Sequence, residues 1–328
     1  MQEIEKFIRE TYNIDVKNIA FCKDVYIIES NNGKKALKKT ELPEERLNFI
    51  HCAKEYLYNN GFTNIDRNLC TKEGKPYTIF NDEVYVLCEI VEGRECNFNE
   101  RKDVIESARA LALLHKCSKG FRPSDEWSRY DYLGRLPAYY RKRLDEIKKL
   151  KKIARRGRNK FDYMFLNCVD SFYNTGEDVI KKLYQTKYED IVTRYREEGI
   201  LCHHDYAHHN IIFSSKGVNI INFDYCCFDL KVYDVANLIK RKMRKCNWNF
   251  EEAKVILHEY CSIEPIDDDE FFILKLMLQF PQKFWRVVNK YYNSKRSWAE
   301  ANYTYRLQEV LDEVEESSKL IEKFDYLR

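Results

Sequence analysis

Glycine and proline are scarce in this chain, with 10 Gly and 6 Pro among 328 residues. That scarcity excludes a collagen-like or linker-rich protein. No run approaches the roughly 18 apolar residues of a membrane span, so no spanning helix is expected. The 12 cysteines are scattered without a C-x-x-C pair, which argues against a zinc ribbon or a dithiol motif. The opening Met1-Gln2-Glu3-Ile4-Glu5-Lys6 lacks a basic stretch followed by an apolar one, so no secretory signal is expected. The thiols are then expected to be reduced and largely buried, as in a cytosolic protein, with Cys226-Cys227 open to a redox reading as well. Net charge is also small, 56 basic against 53 acidic residues, or +3. So weak an overall field does not mark a general nucleic-acid binder.

What is present points to a folded protein. The chain is 44% hydrophobic and 14% aromatic, too apolar for disorder. Its length suits two packed lobes better than one core. The charge is uneven: residues 141–160 hold eleven Lys or Arg and two acids.

The hydrophobic periodicity separates two regions. Residues 1–30 read as a short helix followed by strand material. Val25-Tyr26-Ile27-Ile28 runs to Asn31-Asn32-Gly33, a hairpin turn signal, and the strand Lys35–Lys39 follows. A helix is expected from Pro43 to about Asn59, with Leu47, Ile50, Ala53 and Leu57 on one face. Two more strands, Tyr77–Phe80 and Val84–Ile90, flank Asn81-Asp82. From Asn99, a candidate helix cap, the chain reads as helical, with Val104, Ala108, Leu111, Ala112 and His115 on one face. The exception is a strand pair at Ile211–Phe213 and Val218–Ile221. A small lobe over 1–91 and a helical lobe over 92–328 are expected, with a ligand cleft between them.

The most informative segment is His203-His204-Asp205-Tyr206-Ala207-His208-His209-Asn210, on a loop just ahead of a strand. Ile221-Asn222-Phe223-Asp224 follows twelve residues after Asn210. This is the layout of a kinase catalytic loop and a metal-binding strand end. Phosphoryl transfer needs a carboxylate to orient or deprotonate the acceptor hydroxyl, a role for Asp205. It also needs Mg²⁺ held by hard oxygen ligands, a role for Asn210 and the acid of the second strand. Upstream, Ala36-Leu37-Lys38 matches the A-x-K of a kinase third strand. Alternation puts Ala36 and Lys38 on one face, to admit an adenine and to pair with phosphates, and turns Lys39 away.

The chain here resembles the aminoglycoside phosphotransferase and choline kinase branch of the protein-kinase-like fold. His203-x-Asp205-x₄-Asn210 stands where that branch has its H-x-D-x₄-N motif, and Asp234-Val235-Ala236 resembles its helix-capping Asp. It is most similar to the CotS-like family of spore coat proteins. Gly93-Arg94-Glu95-Cys96, the segment Leu114–Phe121, His208-His209-Asn210, Asp224-Tyr225-Cys226 and Phe280–Trp285 carry that likeness.

The resemblance implies an α+β, two-lobe fold of the aminoglycoside phosphotransferase type. It implies ATP and Mg²⁺ as cofactors and Asp205 as the catalytic residue. Ala36 and Lys38 would bind the nucleotide, Asn210, Asn222 and Asp224 the metal, while His203 and Asp234 would support the loop. It also implies spore coat proteins as partners and a life in the mother-cell cytoplasm followed by the coat.

Three departures bear on activity. Asn222 stands where the branch has its main metal-binding Asp, with Asp224 expected on the same strand face as partial compensation. Phe21-Cys22-Lys23-Asp24 replaces a glycine-rich loop. None of Glu44, Glu45 and Glu55 suits the helix glutamate that pairs with the lysine. Two functions stay open: a coat protein with a weak or inactive kinase site, and an active phosphotransferase acting on a hydroxyl of a small molecule, sugar or coat protein. Three further features keep two readings each. The histidines near Asp205 could bind zinc or serve the loop. The basic stretch from Arg141 to Lys160, which carries Leu144, Ile147, Leu150 and Ala154 at near-helical spacing, could be an amphipathic helix with a solvated face or a dock for an acidic partner. The aromatics Phe280, Phe284, Trp285, Tyr291, Tyr292 and Trp298 could be a substrate wall or helix core.

Overall fold

A computed structural model describes residues 2–22, 25–293 and 300–328. Lys23, Asp24 and Trp298 lie outside the described residues. The chain begins with helix α1 (Gln2–Tyr12) and three strands, β1 (Val16–Cys22), β2 (Val25–Ser30) and β3 (Gly33–Lys39). Helix α2 (Glu44–Asn59) then leads to β4 (Thr78–Phe80) and β5 (Glu83–Glu89). The five strands form an antiparallel sheet in the order β1-β2-β3-β5-β4. Both expected hairpins form. Ser30 pairs with Gly33 around Asn31-Asn32, and Phe80 pairs with Glu83 around Asn81-Asp82. Asn81 and Asp82 take φ of 50° and 61°, the left-handed pair that a two-residue turn needs to match strand twist.

Short strand β6 (Arg94–Glu95) precedes α3 (Arg101–Ser118), α4 (Leu136–Ala154), α5 (Lys160–Leu183) and α6 (Tyr188–Glu198). Next come β7 (Leu201–Cys202), β8 (Ile211–Ser214), β9 (Gly217–Ile220) and β10 (Cys227–Phe228). Helices α7 (Val232–Met243), α8 (Phe250–Cys261), α9 (Asp268–Gln279), α10 (Gln282–Asn293), α11 (Glu300–Asp312) and α12 (Val314–Glu322) complete the chain. β6, β8 and β9 form one small sheet, β7 and β10 another. The fold is thus an antiparallel-sheet region followed by a mainly helical remainder.

Two cores result. Ile4, Ile8 and Tyr12 of α1 pack on Ile28, Leu37 and Leu87 of the sheet. The larger core holds the expected faces of α3 and α4, and also takes in Phe49, Ile50, Ala53 and Leu57 of α2. Helix α2 therefore belongs by sequence to the first region and by packing to the helical one. The stretch between α2 and β4 ties them further. Leu69 donates its N–H to Leu87 of β5, while Ile220 of β9 donates to Asn64.

Several local expectations are corrected. Pro43 is the residue before α2, not in its first turn. Asn99 does not cap α3; Glu100 precedes the helix without a side-chain bond. Instead the Asp103 carboxylate of the first turn reaches back to the Asn97 N–H at 2.8 Å while pairing with Arg94. The aromatic series is mostly core: Phe280 stacks on Tyr140 at 3.7 Å and Phe284 on Phe172 at 4.1 Å. Cys226 and Cys227 are buried and free, and burial pushes the Cys226 thiol up to about 12. That removes the thiolate a redox role needs.

Candidate active site

The loop between β7 and β8 carries the motif. Its anchor is Asp234, in the first turn of α7 and wholly buried. The Asp234 carboxylate accepts the N–H groups of His203 at 2.6 Å and His204 at 2.9 Å, and faces His115 Nε2 at 3.4 Å. Asp234 thus holds the loop and does not cap its own helix, which Lys231 precedes. Burial alone would raise its pKa, but the bond from His115 and the field of the histidines outweigh that and hold it low.

His203 is fully buried. Its Nε2 lies 3.0 Å from the Ile221 carbonyl, and its Nδ1 accepts the Asp205 N–H at 3.3 Å. A carbonyl can only accept, so the proton sits on Nε2. Burial lowers the pKa of this imidazole. Both nitrogens are engaged, so it orients the loop and is not placed as a base. The four histidines do not converge. His204 bonds Asp229 at 2.8 Å, His208 faces Glu95 at 3.9 Å, and His209 lies 4.0 Å from Asp205.

Asp205 sits at the open edge of the loop. Asn210 Nδ2 donates to its Oδ2 at 3.0 Å and to its backbone carbonyl at 2.9 Å. Arg241 of α7 donates to its Oδ1 at 3.3 Å. Asn222 Nδ2 in turn donates to Asn210 Oδ1 at 3.3 Å. Asp205, Asn210 and Asn222 therefore form one connected set.

The segment after β9 is a turn and not a strand end. β9 stops at Ile220, Asn222 has φ of 64°, and Cys226 donates back to the Phe223 carbonyl. Asn222 and Asp224 consequently do not share a strand face, and the expected alternation does not apply. The left-handed backbone at 222 is one that Asn accepts readily. Asp224 is exposed. Its backbone carbonyl accepts two bonds from Arg46 of α2, at 2.8 and 3.2 Å, and Arg46 also donates to the Cys226 carbonyl at 2.6 Å. Tyr130 lies under this guanidinium, 4.6 Å from ring centre to Cζ.

Lys38 faces the same region from β3, beside buried Ala36, while Lys39 turns out to Glu83 at 2.8 Å. Burial would pull the Lys38 pKa down, but Cys88, Asp66 and Asp224 outweigh it and hold the ammonium above its ordinary value. Among the described residues, no helix glutamate pairs with Lys38. Glu44 bonds Tyr77, Glu45 pairs with Arg129 at 2.8 Å, and Glu55 pairs with Arg67 at 2.6 Å. The carboxylate whose field acts most on Lys38 is that of Asp66. It pairs with buried Lys54 of α2 at 2.9 Å and accepts the Asn222 N–H at 3.3 Å. Lys54 also lies 5.5 Å from the Phe223 ring centre. Asp66, Arg46, Lys54 and Arg241 escaped the sequence reading, because none stands in a local pattern that marks it.

Comparisons with known proteins bear on the family and the fold. The profile of the family described as "Spore coat putative kinase YutH" matches residues 5–324. Spore coat protein S of Bacillus subtilis (strain 168) is 23% identical over 318 residues, covering 96% of this chain and 90% of that protein. The crystal structure of an aminoglycoside phosphotransferase from Alicyclobacillus acidocaldarius superimposes with a TM-score of 0.80 at 19% identity, covering 95% of this chain and 92% of the other. A spectinomycin phosphotransferase solved with ADP and spectinomycin gives a TM-score of 0.65 at 14% identity, over 95% and 97% of the two chains.

Proposed function

The chain belongs to the spore coat putative kinase YutH family, and from that membership we propose a coat-associated, ATP-binding protein whose weakened Mg²⁺ site limits phosphoryl transfer. The observation that carries this reading is the linked set Asp205–Asn210–Asn222, joined through the Asn222 N–H to Asp66, whose field together with that of Asp224 reaches Lys38. Lys38 would anchor the nucleotide phosphates and Ala36 would line the adenine site.

The oxygens of Asn210, Asn222 and Asp224 would hold Mg²⁺. They are hard donors, as this ion requires, but only one is charged. Mg²⁺ would supply charge neutralisation at the phosphates. Asp205, held by Asn210 and Arg241, would orient the acceptor hydroxyl and take its proton. The terminal phosphoryl bond to ADP breaks as the bond to the acceptor oxygen forms, and the proton leaves through Asp205 to solvent. In this reading its partners would be coat proteins, and it would be made in the mother-cell cytoplasm before assembly. No helix among the described residues is long and apolar enough to cross a membrane.

The test is a thermal-melt titration with ATP, with and without Mg²⁺, on the wild type and on Asn222→Asp. Binding to the native state raises the melting point by mass action. A small Mg²⁺-dependent shift is expected in the wild type and a larger one in the variant. No shift in either protein overturns the reading.

A further inference from the structure

Arg241 belongs to a larger group of cations beyond Asp205. Arg143 of α4, Lys240 of α7, Arg244 just past its end and the exposed Arg286 of α10 lie near it. Arg143, Lys240, Arg241 and Arg244 each lie in the repulsive field of Arg286. Like charges gathered in one place are unfavourable unless something answers them.

Little in the chain answers these. Among the described residues, Arg143, Lys240 and Arg286 make no ion pair. Arg143 lies half-buried against aromatic faces, 4.8 Å from the Trp285 ring centre and 5.9 Å from that of Tyr139. Lys240 donates to the Met277 carbonyl at 2.5 Å. The acids nearby are committed elsewhere or shared. Glu146 accepts the Trp285 indole N–H at 2.6 Å. Glu313 lies 3.8 Å from Arg244 but 2.7 Å from Lys283. Glu309 also acts on Arg244, and Asp205 is the carboxylate of the loop itself.

The placement is as telling as the charge. On α7 and just past its end, Tyr233, Asn237, Arg241 and Arg244 follow one another at helical spacing. Tyr233 stacks on His204 of the catalytic loop at 4.0 Å, so this face starts at the loop and runs away from it. The rings beside Arg143 lead back to the same loop: Tyr139 lies 6.3 Å from Tyr132, and Tyr132 lies 5.6 Å from His204, between ring centres.

We infer that the cationic wall of Arg143, Arg241 and Arg286, joined to Asp205 through Arg241, is a subsite for the anionic group of a small hydroxylated acceptor, such as a sugar bearing a phosphate or carboxylate. The inference rests on the phosphotransferase reading of Asp205. Guanidinium groups suit both anions, through paired N–H donors. The half-buried setting of Arg143 between rings favours a compact ligand. An extended acidic chain would meet the outward face of α4 first.

The experiment is calorimetric binding to the intact chain, with ADP and four acceptor probes: glucose 6-phosphate, glucuronate, glucose and glucosamine. Each is measured on the wild type and on the variant Arg143→Gln/Arg286→Gln. The two anionic probes are expected to bind at least tenfold more tightly than glucose and glucosamine, and to weaken with salt. The double variant is expected to lose at least tenfold for the anions while keeping ADP affinity, which also shows that it is folded. Equal binding of charged and neutral probes overturns the inference, as does an unchanged double variant. A tenfold preference for poly-glutamate over both small anions overturns it too, in favour of an acidic peptide. ADP binding separates the two readings. Anion binding without ADP binding removes the phosphotransferase reading, and ADP binding without anion selectivity removes only this one.

Discussion

Asn222 donates its side-chain N–H to the side-chain oxygen of Asn210 at 3.3 Å. Two residues expected to hold a cation instead hold each other. A carboxylate at 222 would have no proton to offer and would face the Asn210 oxygen across a gap that only a cation fills. Asn222→Asp is therefore expected to lower the stability of the metal-free protein by about 1–2 kcal/mol, the cost of a lost bond and an unanswered acceptor. Millimolar Mg²⁺ is expected to restore it. Melting curves with EDTA and with Mg²⁺ check this; a variant indifferent to the ion contradicts it.

Lys38 and Lys39 offer a paired comparison on adjacent residues. Lys38→Met is expected to abolish the ATP-dependent rise in melting temperature, since Lys38 alone of the two faces Asp66 and Asp224. Lys39→Met is expected to leave both nucleotide binding and stability within error, because its partner Glu83 is as exposed as it is. Equal losses in the two variants would show that strand alternation does not place the phosphate anchor.

Arg46 links α2 to the turn that carries Asp224. Its guanidinium satisfies two backbone carbonyls, those of Asp224 and Cys226. Arg46→Ala is expected to cost about 2 kcal/mol or more, as charge-assisted bonds to buried acceptors are lost. It is also expected to raise the nucleotide dissociation constant, which Arg46→Lys should recover only in part. Denaturant unfolding and nucleotide titration together read the two effects.

Asp234 sets the acid limit of the loop. Its pKa is held below the ordinary aspartate value in the folded state. The unfolded chain therefore takes up this proton first as pH falls. The stabilisation is full above the ordinary value of 3.8 and is lost as pH drops through the folded value. Asp234→Asn is expected to be less stable by roughly 3 kcal/mol at neutral pH and to show a flatter loss of stability below pH 4. Urea midpoints between pH 3 and 7 measure the slope.

Lys240 acts at the opposite end of the scale. Burial and the neighbouring arginines bring its pKa down from 10.5 to about 7. Between these values the unfolded state binds the extra proton, so this residue makes stability rise as pH increases from 7 to 10.5. Lys240→Met is expected to remove that rise and to be more stable than the wild type below pH 7. An unchanged slope would show that the ammonium is solvated.

The parts of this protein legible in its sequence are local. The two hairpin turns, the buried faces of α3 and α4, and the separation of Lys38 from Lys39 follow from side-chain periodicities of the backbone itself. The spacing of Asp205 and Asn210 is equally local, since one short loop carries both. A tight turn is as local, yet the spacing after Asn210 suggests a strand end at Ile221–Asp224, and the left-handed backbone at Asn222 breaks that pattern.

Longer-range relationships needed the tertiary structure. Asp66 meets Lys54 and approaches Lys38, Arg46 reaches the Asp224 carbonyl, and Arg241 reaches Asp205. These partners stand tens to nearly two hundred residues apart in the chain. The same holds for Arg143 and Arg286, whose helices are remote in sequence and adjacent in space. Periodicity states which face of a helix is apolar, but only packing decides which charged groups finally confront one another. That is why the His203–Asn210 loop could be read from the chain alone, while the carboxylates near Lys38 and the cations near Arg241 could not.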